Sequence, residues 1–271
     1  MSTSPQEQAQ EKLVWMARLG YCTRGVVYIV VGALALLAAL GKGGKTSGTK
    51  GALQSVMSTP LGDIMIGIIA FGLFSYALWR FVQAIKDVDG HGTDPKGLAI
   101  RGGLLVSAVT HTLLGVYALN MLFGSGGGNG GGNGGGGSKG MAAMLMQQPW
   151  GRWLVGIVAL CILGAGIAHA LKALKEKYKK YFAMDSSLME KVSPIIKFGL
   201  IARAVVFAII AFFLAYAAWT YDPQKAKGLD AALEFIQQQA YGSILLGVVA
   251  LGLFAFGTYS FLEGIYRRIH P

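Results

Sequence analysis

The sequence predicts an all-α fold: a six-transmembrane-helix bundle built from three parallel two-helix repeats around a pseudo-threefold axis. The chain of 271 residues is 54% hydrophobic and only 14% charged, whereas a soluble domain is about 25% charged. Its apolar residues form six runs, each long enough to cross a hydrocarbon core of about 30 Å. In addition, one passage recurs three times, and each copy opens an apolar run. Composition, run length and repetition therefore point to the same architecture.

The apolar runs are the predicted spans, and their centres contain no Lys, Asp or Glu. A cleaved signal peptide is the alternative for the first run, which follows Arg18 and Arg24. We keep this run as a span because its motif matches that of the fifth run. The spans cover roughly 19–40, 61–85, 98–123, 150–171, 198–220 and 241–265.

The recurring passage marks the start of a return helix in each repeat, at 58–67, 147–156 and 238–247. Each unit has two spans, so it begins and ends on the same side of the membrane, and the three copies are parallel. The predicted segments are an N-terminal cytoplasmic segment 1–17, repeat 1 at 18–90, repeat 2 at 91–180 and repeat 3 at 181–271.

Two positions in the first helix of each repeat differ in a way that bears on function. The first position holds Arg24, Ser107 or Arg203, and the second holds Tyr28, His111 or Phe207. The middle repeat therefore lacks the arginine and replaces an aromatic ring with histidine. A central feature with strict threefold symmetry is not expected.

The outer loops are predicted to carry short amphipathic helices that lie along the membrane interface. Apolar residues at spacings i, i+3, i+4 and i+7 occur at 229–236, with similar stripes at 53–57 and 141–145. A fully solvated loop is the alternative. The Gly-rich outer loop 124–140 is predicted to be a flexible coil. It lacks the preceding strand and the following Lys-Ser/Thr of a phosphate-binding loop.

Positive charge is unevenly distributed between the two sides. Of the 24 lysine and arginine residues, 17 lie on the side of the termini and 7 on the other. This bias predicts a multi-pass protein of the bacterial cytoplasmic (inner) membrane with both termini inside. The predicted partners are the lipid bilayer and its anionic headgroups at the cytoplasmic face, and not nucleic acid. We expect 172–180 to continue the fourth span as a basic helix; docking of an acidic cytoplasmic protein there is the alternative.

Glycines in the return helices recur about every fifth residue, which turns a helix by about 140° per step. Small residues spread around the helix suggest neighbours on all sides, so we expect spans two, four and six to form an inner ring. The predicted packing glycines are Gly62, Gly67, Gly72, Gly151, Gly156, Gly242, Gly247 and Gly252.

Two stretches carry a resemblance to a known family. They read Arg-x-Gly-Tyr-x-x-Arg-Gly-Val-Val-Tyr-x-x-x-Gly at 18–32, and Pro-Leu-Gly followed by Gly-x-x-x-x-Gly-Leu-x-x-Tyr-x-x-Trp-Arg within 60–80. This pattern resembles a bacterial family of triple-repeat membrane proteins labelled as a domain of unknown function. The resemblance covers nearly the whole chain outside the Gly-rich loop. It implies no activity, so no catalytic residue is carried over, and the middle repeat departs from the pattern at Ser107 and His111.

His111 is the clearest candidate for chemistry, because it lies near the predicted bilayer centre beside Ser107 and Thr110. Three interpretations stay open: a neutral histidine bonded to a neighbouring helix, a polar group on a hydrated path, or a metal or haem ligand. Haem would need a second ligand at the same depth. His169 is expected to lie more than about 10 Å from His111 in depth, too far to be that ligand. No cofactor is predicted.

Arg24 and Arg203 lie one to two turns inside their spans. They could form an anion-attracting vestibule, or they could reach towards lipid phosphate or cap a neighbouring repeat. Glu263 and Arg80 are expected to pair between repeats rather than to catalyse a reaction.

The sequence contains no Ser-His-Asp set, Cys/His cluster or paired carboxylates, so an enzyme is not predicted. Cys22 and Cys161 are predicted at different depths and unbonded. Our first hypothesis is a non-enzymatic scaffold or modulator of membrane partners with a closed, dry core. The alternative is a small-solute or ion pathway along the pseudo-threefold axis, lined by His111, Arg24 and Arg203.

Overall fold

The computed structural model describes residues 4–44, 46–124 and 136–269, and these residues are overwhelmingly helical. In this part of the chain, six helices are long and apolar enough to cross a membrane. They are α1, α3, α4, α6, α7 and α9, and they confirm the predicted membrane-spanning bundle. The helices are α1 (Pro5–Ala39), α2 (Thr49–Met57), α3 (Gly62–Lys86), α4 (Pro95–Phe123), α5 (Gly136–Met146), α6 (Gly151–Leu174), α7 (Ser186–Thr220), α8 (Leu229–Gln237) and α9 (Gly242–Tyr266).

Helix α1 starts well before its span, so much of the predicted segment 1–17 is helical. The start is fixed by a reciprocal cap: the Ser4 hydroxyl accepts from the Glu7 backbone N–H at 3.3 Å, and the Glu7 carboxylate accepts from the Ser4 N–H at 2.7 Å. Pro5 occupies the first turn, where its missing N–H costs no hydrogen bond.

The six long helices follow one another in a ring. Contacts α3–α4, α6–α7 and α9–α1 join different repeats, while α1–α3 and α7–α9 join the two helices of one repeat. This order is the one expected of three parallel repeats around a pseudo-threefold axis.

The middle repeat breaks this pattern, because α4 and α6, both described throughout, share no extended contact. Only 17% of the most apolar window of each is buried, against 50% for α3 and for α9. The ring is therefore open on one side, and α6 lies at its edge. The prediction that spans two, four and six form an inner ring is wrong. Glycine spacing was a poor guide, because Gly156 of α6 has no described atom within 4 Å of where a Cβ would stand.

In repeat 1 the two helices meet through glycines on both sides. A Cβ added at Gly20 would lie 2.6 Å from Cα of Tyr76, and one added at Gly72 would lie 2.7 Å from Cβ of Thr23. Each distance is far below van der Waals contact, so these positions require glycine for the helices to approach this closely.

Repeat 3 uses the same contact. Gly199 of α7 faces the backbone of Phe256, with an added Cβ 2.7 Å from its Cα, and Gly252 of α9 faces Ala202. The middle repeat retains the first-helix glycine as Gly103, but among the described atoms nothing lies within 4 Å of its Cβ position. The middle repeat therefore keeps the glycine, but its two long helices do not pack together at that position.

The short helices α2, α5 and α8 lie in the loops that join the two long helices of each repeat, at the end of the bundle opposite the chain termini. Helix α2 buries Leu53 and Val56 against α1 and α3, and α8 buries Leu233 and Ile236 against α7 and α9. Each is followed by the glycine that begins a return helix. At Gly62, Gly151 and Gly242 a Cβ would collide with a carbonyl oxygen at the end of the short helix.

The loop after α6 differs from the sequence-based prediction. The expected basic helix over 172–180 is wrong, because α6 ends at Leu174 and Glu176 is in the left-handed region with φ 49°. Tyr178 is fully buried and its hydroxyl bonds to that of Ser193. Burying this ring, with Phe182 beside it, turns the chain back over the bundle.

Residues 125–135 of the Gly-rich loop lie outside the described residues. Helix α5 begins at Gly136, inside the stretch 124–140 that was expected to be coil. The expectation is therefore wrong from Gly136 onwards, where helix precedes the Met-rich stripe.

Candidate functional site

One end of the bundle holds the start of α1, the end of α9 and the loops 87–94 and 175–185. We call it the terminal face. Its parts are tied together, since Ala183 N–H donates to the Tyr266 carbonyl at 2.8 Å. Arg267 also bonds to the Asp89 carboxylate with its guanidinium at 3.0 and 3.2 Å.

Arg24 lies inside the ring and is 4% exposed. Its Nε donates to the Ser260 hydroxyl at 3.0 Å, Nη1 donates to the Tyr76 hydroxyl, and Nη2 bonds to the Glu263 carboxylate. Its Cζ lies 5.1 Å from the centroids of the Tyr76 and Phe256 rings. Arg24 therefore joins α1 both to the return helix of its own repeat and to that of repeat 3.

Glu263 is the carboxylate at the centre of this network, and it is 2% exposed. Besides Arg24, it accepts from the Tyr259 hydroxyl at 2.7 Å and from Arg267 Nη1 at 2.9 Å, and Lys172 Nζ lies 3.7 Å away. The pairing between repeats that the sequence predicts for Glu263 occurs with Arg24 and Lys172 instead of Arg80. One carboxylate thus connects all three repeats.

The network extends to the terminal face through Arg80. Its Nε donates to the Tyr76 hydroxyl at 2.7 Å, and its Nη1 donates to the Gln83 amide oxygen at 3.0 Å. Gln83 in turn donates to Asp89 at 2.7 Å, beside Arg267. Apart from Arg267 Nε, which is buried without a partner, these groups satisfy one another, and mutual satisfaction lets a buried polar network stabilise a fold.

Arg203 aligns with Arg24 but has a different environment. It makes no hydrogen bond and no ion pair with any residue that the structure describes, and its Nε is buried without a partner. Its Cζ lies 4.9, 4.7 and 4.3 Å from the ring centroids of Tyr28, Phe207 and Phe256. The same residue type is therefore neutralised in one repeat and held only by aromatic rings in another.

The repeat alignment explains the difference. Counted from the glycine that begins each return helix, the partners of Arg24 have counterparts around Arg203 that cannot replace them. Tyr76 corresponds to Phe256, Ser260 to His169 and Glu263 to Lys172. The first substitution removes the hydroxyl and the third replaces an anion with a cation. We call Arg203 and His169, with the rings of Phe207 and Phe256 that both contact, the Arg203 corner.

His111 makes a contact that recurs in repeat 1. Its Nδ1 lies 2.8 Å from the Ser107 carbonyl and 3.5 Å from the Ser107 hydroxyl. Its ring meets Tyr76 edge-on at 4.5 Å, as Tyr28 meets Phe256 at 4.8 Å. His111 thus packs on the preceding return helix in the way that the aromatic ring of repeat 1 does.

His169 lies on the other side of the ring interior. It contacts Phe207 edge-on at 5.6 Å and Phe256 at 6.0 Å, and its Nδ1 bonds to the Ala165 carbonyl at 2.6 Å. Ala165 is the middle-repeat counterpart of Tyr76, so His169, one turn later, supplies the ring that this position lacks. Within the described part of the chain, no three His, Cys, Asp or Glu side chains converge as a metal site would require.

The open side of the ring forms a cleft between α4 and α6, which we call the middle-repeat cleft. Thr110 lies on its α4 wall: its counterparts Val27 and Val206 are buried, whereas Thr110 is exposed, with its hydroxyl bonded to the Val106 carbonyl at 2.8 Å. On the α6 wall, the counterpart of Gly72 is Cys161, an exposed free thiol. In the repeat alignment, the residues of α4 and α6 that correspond to the helix contact of repeats 1 and 3 are Gly103, Val106, Thr110, Val158, Cys161 and Ala165.

Three inner side chains are only partly buried: His111 from α4, His169 from α6 and Arg203 from α7. On the outer side of α4 a separate apolar groove of about 400 Å³ runs between α3 and α4, lined in part by Phe74 and Thr112. Helix α4 thus has one face towards the cleft and another towards lipid.

The sequence pointed to Arg24, Arg203, Ser107, Thr110 and His111 as candidate functional residues, but it did not reveal the role of Lys172. Extending the repeat alignment to the end of the return helices would have found it, since Lys172 stands where repeat 3 has Glu263. The predicted packing glycines divide: Gly67, Gly156 and Gly247 are loosely packed or open, whereas the other five meet close neighbours.

Comparison with known proteins gives a family and no activity. The model of a family described as Domain of Unknown Function (DUF1206) matches residues 19–87, 102–176 and 198–267, one match for each repeat. The chain is also 35% identical over 268 residues to "Uncharacterized protein YxxB" of Bacillus subtilis (strain 168), covering 96% of this chain and 94% of that protein. No solved structure matches the chain. The family model matches each of the three repeats, and the relative is similar along nearly its full length. The chain therefore belongs to the DUF1206 family.

Proposed function

We propose that this protein is a non-enzymatic membrane scaffold or modulator, and that it holds the apolar chain of a membrane lipid in the middle-repeat cleft. One observation carries the proposal. The face of α4 that contains Gly103 and Thr110 corresponds to faces that bind a return helix in repeats 1 and 3, yet it is exposed here. In a bilayer such a face is covered by an apolar group.

The shape of the ring favours an acyl chain as the occupant. Helices α4 and α6 are held in place by α3 and α7, so the opening corresponds to one missing helix–helix contact and not to a missing helix. A helix with its side chains is about 10 Å wide. An acyl chain is narrower than a helix, which favours it as the occupant of this opening.

The ring interior favours a scaffold over the alternative pathway lined by His111, Arg24 and Arg203. Phe256 is fully buried near the centre, where it contacts Tyr28 and both arginines. Arg24 is fully engaged with protein partners. These groups fill the axis that a solute would follow.

We also propose that the terminal face is cytoplasmic and that the membrane is the bacterial inner membrane. The distribution of lysine and arginine supports this orientation. Anionic headgroups at that face would then meet the basic loops.

A matched pair of substitutions on α4 tests the cleft. Thr110 and Thr112 both bond to their own helix carbonyls, but Thr110 faces the cleft and Thr112 faces the outer groove. We expect Thr110→Trp to fill the cleft and Thr112→Trp to leave it open. The measurement is native mass spectrometry of protein released from nanodiscs, which counts retained phospholipids.

The wild type and Thr112→Trp are expected to retain a bound lipid, and Thr110→Trp is expected to lose it. Equal retention by all three proteins, or no retained lipid in the wild type, would contradict the proposal.

A further inference from the structure

We propose that the Arg203 corner binds an anionic oxygen group, a phosphate or a carboxylate. The inference rests on the proposed function only for the route of entry, since a lipid in the middle-repeat cleft would bring its headgroup to this corner. The binding chemistry stands on a separate observation, the contrast between the two aligned arginines.

Arg203 has no counter-ion at the position where Arg24 has one. Arg24 and Arg203 occupy equivalent places, but only Arg24 has a carboxylate, Glu263. The counterpart of Glu263 near Arg203 is Lys172, which carries no negative charge and whose ammonium lies 3.7 Å from Glu263. A guanidinium inside a membrane protein is unfavourable without a neutralising partner. The positive charge of Arg203 is therefore not balanced by any residue that the structure describes.

The guanidinium N–H groups of Arg203 donate to no residue that the structure describes. A guanidinium presents N–H groups in a planar fork that matches carboxylate and phosphate oxygens. Those of Arg24 bond to Ser260, Tyr76 and Glu263, whereas those of Arg203 have no acceptor among the residues that the structure describes. The donors required for an oxyanion are therefore in place and free.

Aromatic rings hold the Arg203 guanidinium in one orientation. Three aromatic rings, those of Tyr28, Phe207 and Phe256, lie within 4.9 Å of the Arg203 Cζ and restrict the guanidinium. His169 packs on two of the same rings. A preorganised cation loses less conformational entropy when it binds an anion.

The depth of the Arg203 corner below the terminal face decides which anions can reach it. His169 is five residues from the end of α6 at Leu174, which is about 8 Å along the helix. The corner therefore lies nearer to the terminal face than to the bundle centre. A lipid phosphate drawn slightly inwards, or a free anion entering from that face, can reach it.

Arg203→Gln removes the fork, and Arg268→Gln is its control, because Arg268 is an exposed arginine on the terminal face. The measurement is electron paramagnetic resonance of spin-labelled phosphatidylglycerol, with spin-labelled phosphatidylcholine as the neutral comparison. We expect Arg203→Gln to weaken phosphatidylglycerol binding about tenfold, as for one charge-assisted hydrogen bond. Arg268→Gln should change it by less than about twofold.

A second variant tests the counter-ion argument and guards against misfolding. His169→Glu places a carboxylate beside Phe207 and Phe256, the two rings that Arg203 also contacts, and so supplies Arg203 with an internal partner. We expect this protein to fold and to show the same loss of phosphatidylglycerol binding.

Inorganic phosphate distinguishes the two sources of the anion. If it raises the melting temperature of lipid-depleted wild type but not of Arg203→Gln, the corner takes a free anion. If only phosphatidylglycerol has this effect, the corner takes a lipid headgroup. If both variants bind phosphate and phosphatidylglycerol as the wild type does, the proposal is overturned.

The two proposals can fail separately. Loss of phosphate binding in Arg203→Gln together with unchanged lipid retention in Thr110→Trp would keep the anion site and reject the cleft. The reverse pair of results would keep the cleft and reject the anion site.

Discussion

At the scale of single residues, charge is treated in two ways inside this bundle. Glu263 accepts bonds from Arg24, Tyr259 and Arg267, so several positive groups depend on one carboxylate. Arg203 depends on aromatic rings alone. The bonds to Glu263 form a structural network. The guanidinium donors of Arg203, in contrast, have no acceptor among the described residues.

Glu263→Gln is expected to destabilise the protein by about 3–5 kcal/mol, because it leaves buried cations without their counter-ion. Glu190→Gln is the control, since Glu190 is exposed on α7. The measurement is the unfolding free energy in detergent micelles. A loss as small as that of the control would mean that the network does not hold the helices together.

Glu176, in the loop after α6, supplies a pH-dependent contact outside the membrane. Hydrogen bonds from Lys179 and Lys197 lower the pKa of its carboxyl to about 2, against a usual value of 4.5. Because the folded-state pKa is the lower one, the stabilisation is complete above pH about 4.5 and is lost as the pH falls towards 2. Its contribution is small, because these side chains are exposed.

We expect carbon NMR of the Glu176 carboxyl to show a midpoint near 2. Lys197→Ala, which removes one of its two ammonium partners, should raise that midpoint. A wild-type midpoint near 4.5 would show that the loop contact is absent in solution.

At the scale of elements, the helix pairs of repeats 1 and 3 are close-packed through glycine, and the pair of the middle repeat is apart. The contrast is sharpest at the aligned positions Gly20, Gly199 and Gly103. An alanine methyl has no room at the first two positions and ample room at the third.

Gly20→Ala and Gly199→Ala are each expected to lower stability by about 1–3 kcal/mol through overpacking. Gly103→Ala should leave it unchanged or raise it slightly, because alanine favours helix. Thermal unfolding in the same detergent compares the three. If Gly103→Ala is as damaging as the others, α4 and α6 pack together in the membrane and the cleft is closed.

At the scale of the whole molecule, the ring has one open side and one strongly basic end. The basic end is the terminal face, where the loops between repeats meet the C-terminal end of α9. Its charge should hold this face inside the cell.

Cysteine labelling tests the orientation in a chain whose Cys22 and Cys161 are replaced by alanine. An impermeant maleimide applied to intact cells should label Gln224→Cys, in an outer loop, and should not label Lys177→Cys at the terminal face. Permeabilised cells should show labelling of both. Labelling of Lys177→Cys alone in intact cells would reverse the proposed topology.

The sequence by itself determined the six spans, the three repeats and the short outer helices, because run length, hydrophobicity and periodicity are properties of neighbouring residues. It also brought Arg24, Arg203 and His111 to attention, since ionisable groups in apolar runs are conspicuous. It did not give the end of α6 at Leu174, which depends on burial of Tyr178 against α7.

Only the tertiary structure decided which helices touch, and therefore that α6 lies at the edge of the ring and that the middle repeat is open. It also decided that Arg24 is neutralised and Arg203 is not. Both outcomes depend on side chains that are distant in sequence: Arg24 and Glu263 are 239 positions apart. A local pattern shows that a residue is charged and buried, but whether it has a partner depends on what the fold places beside it.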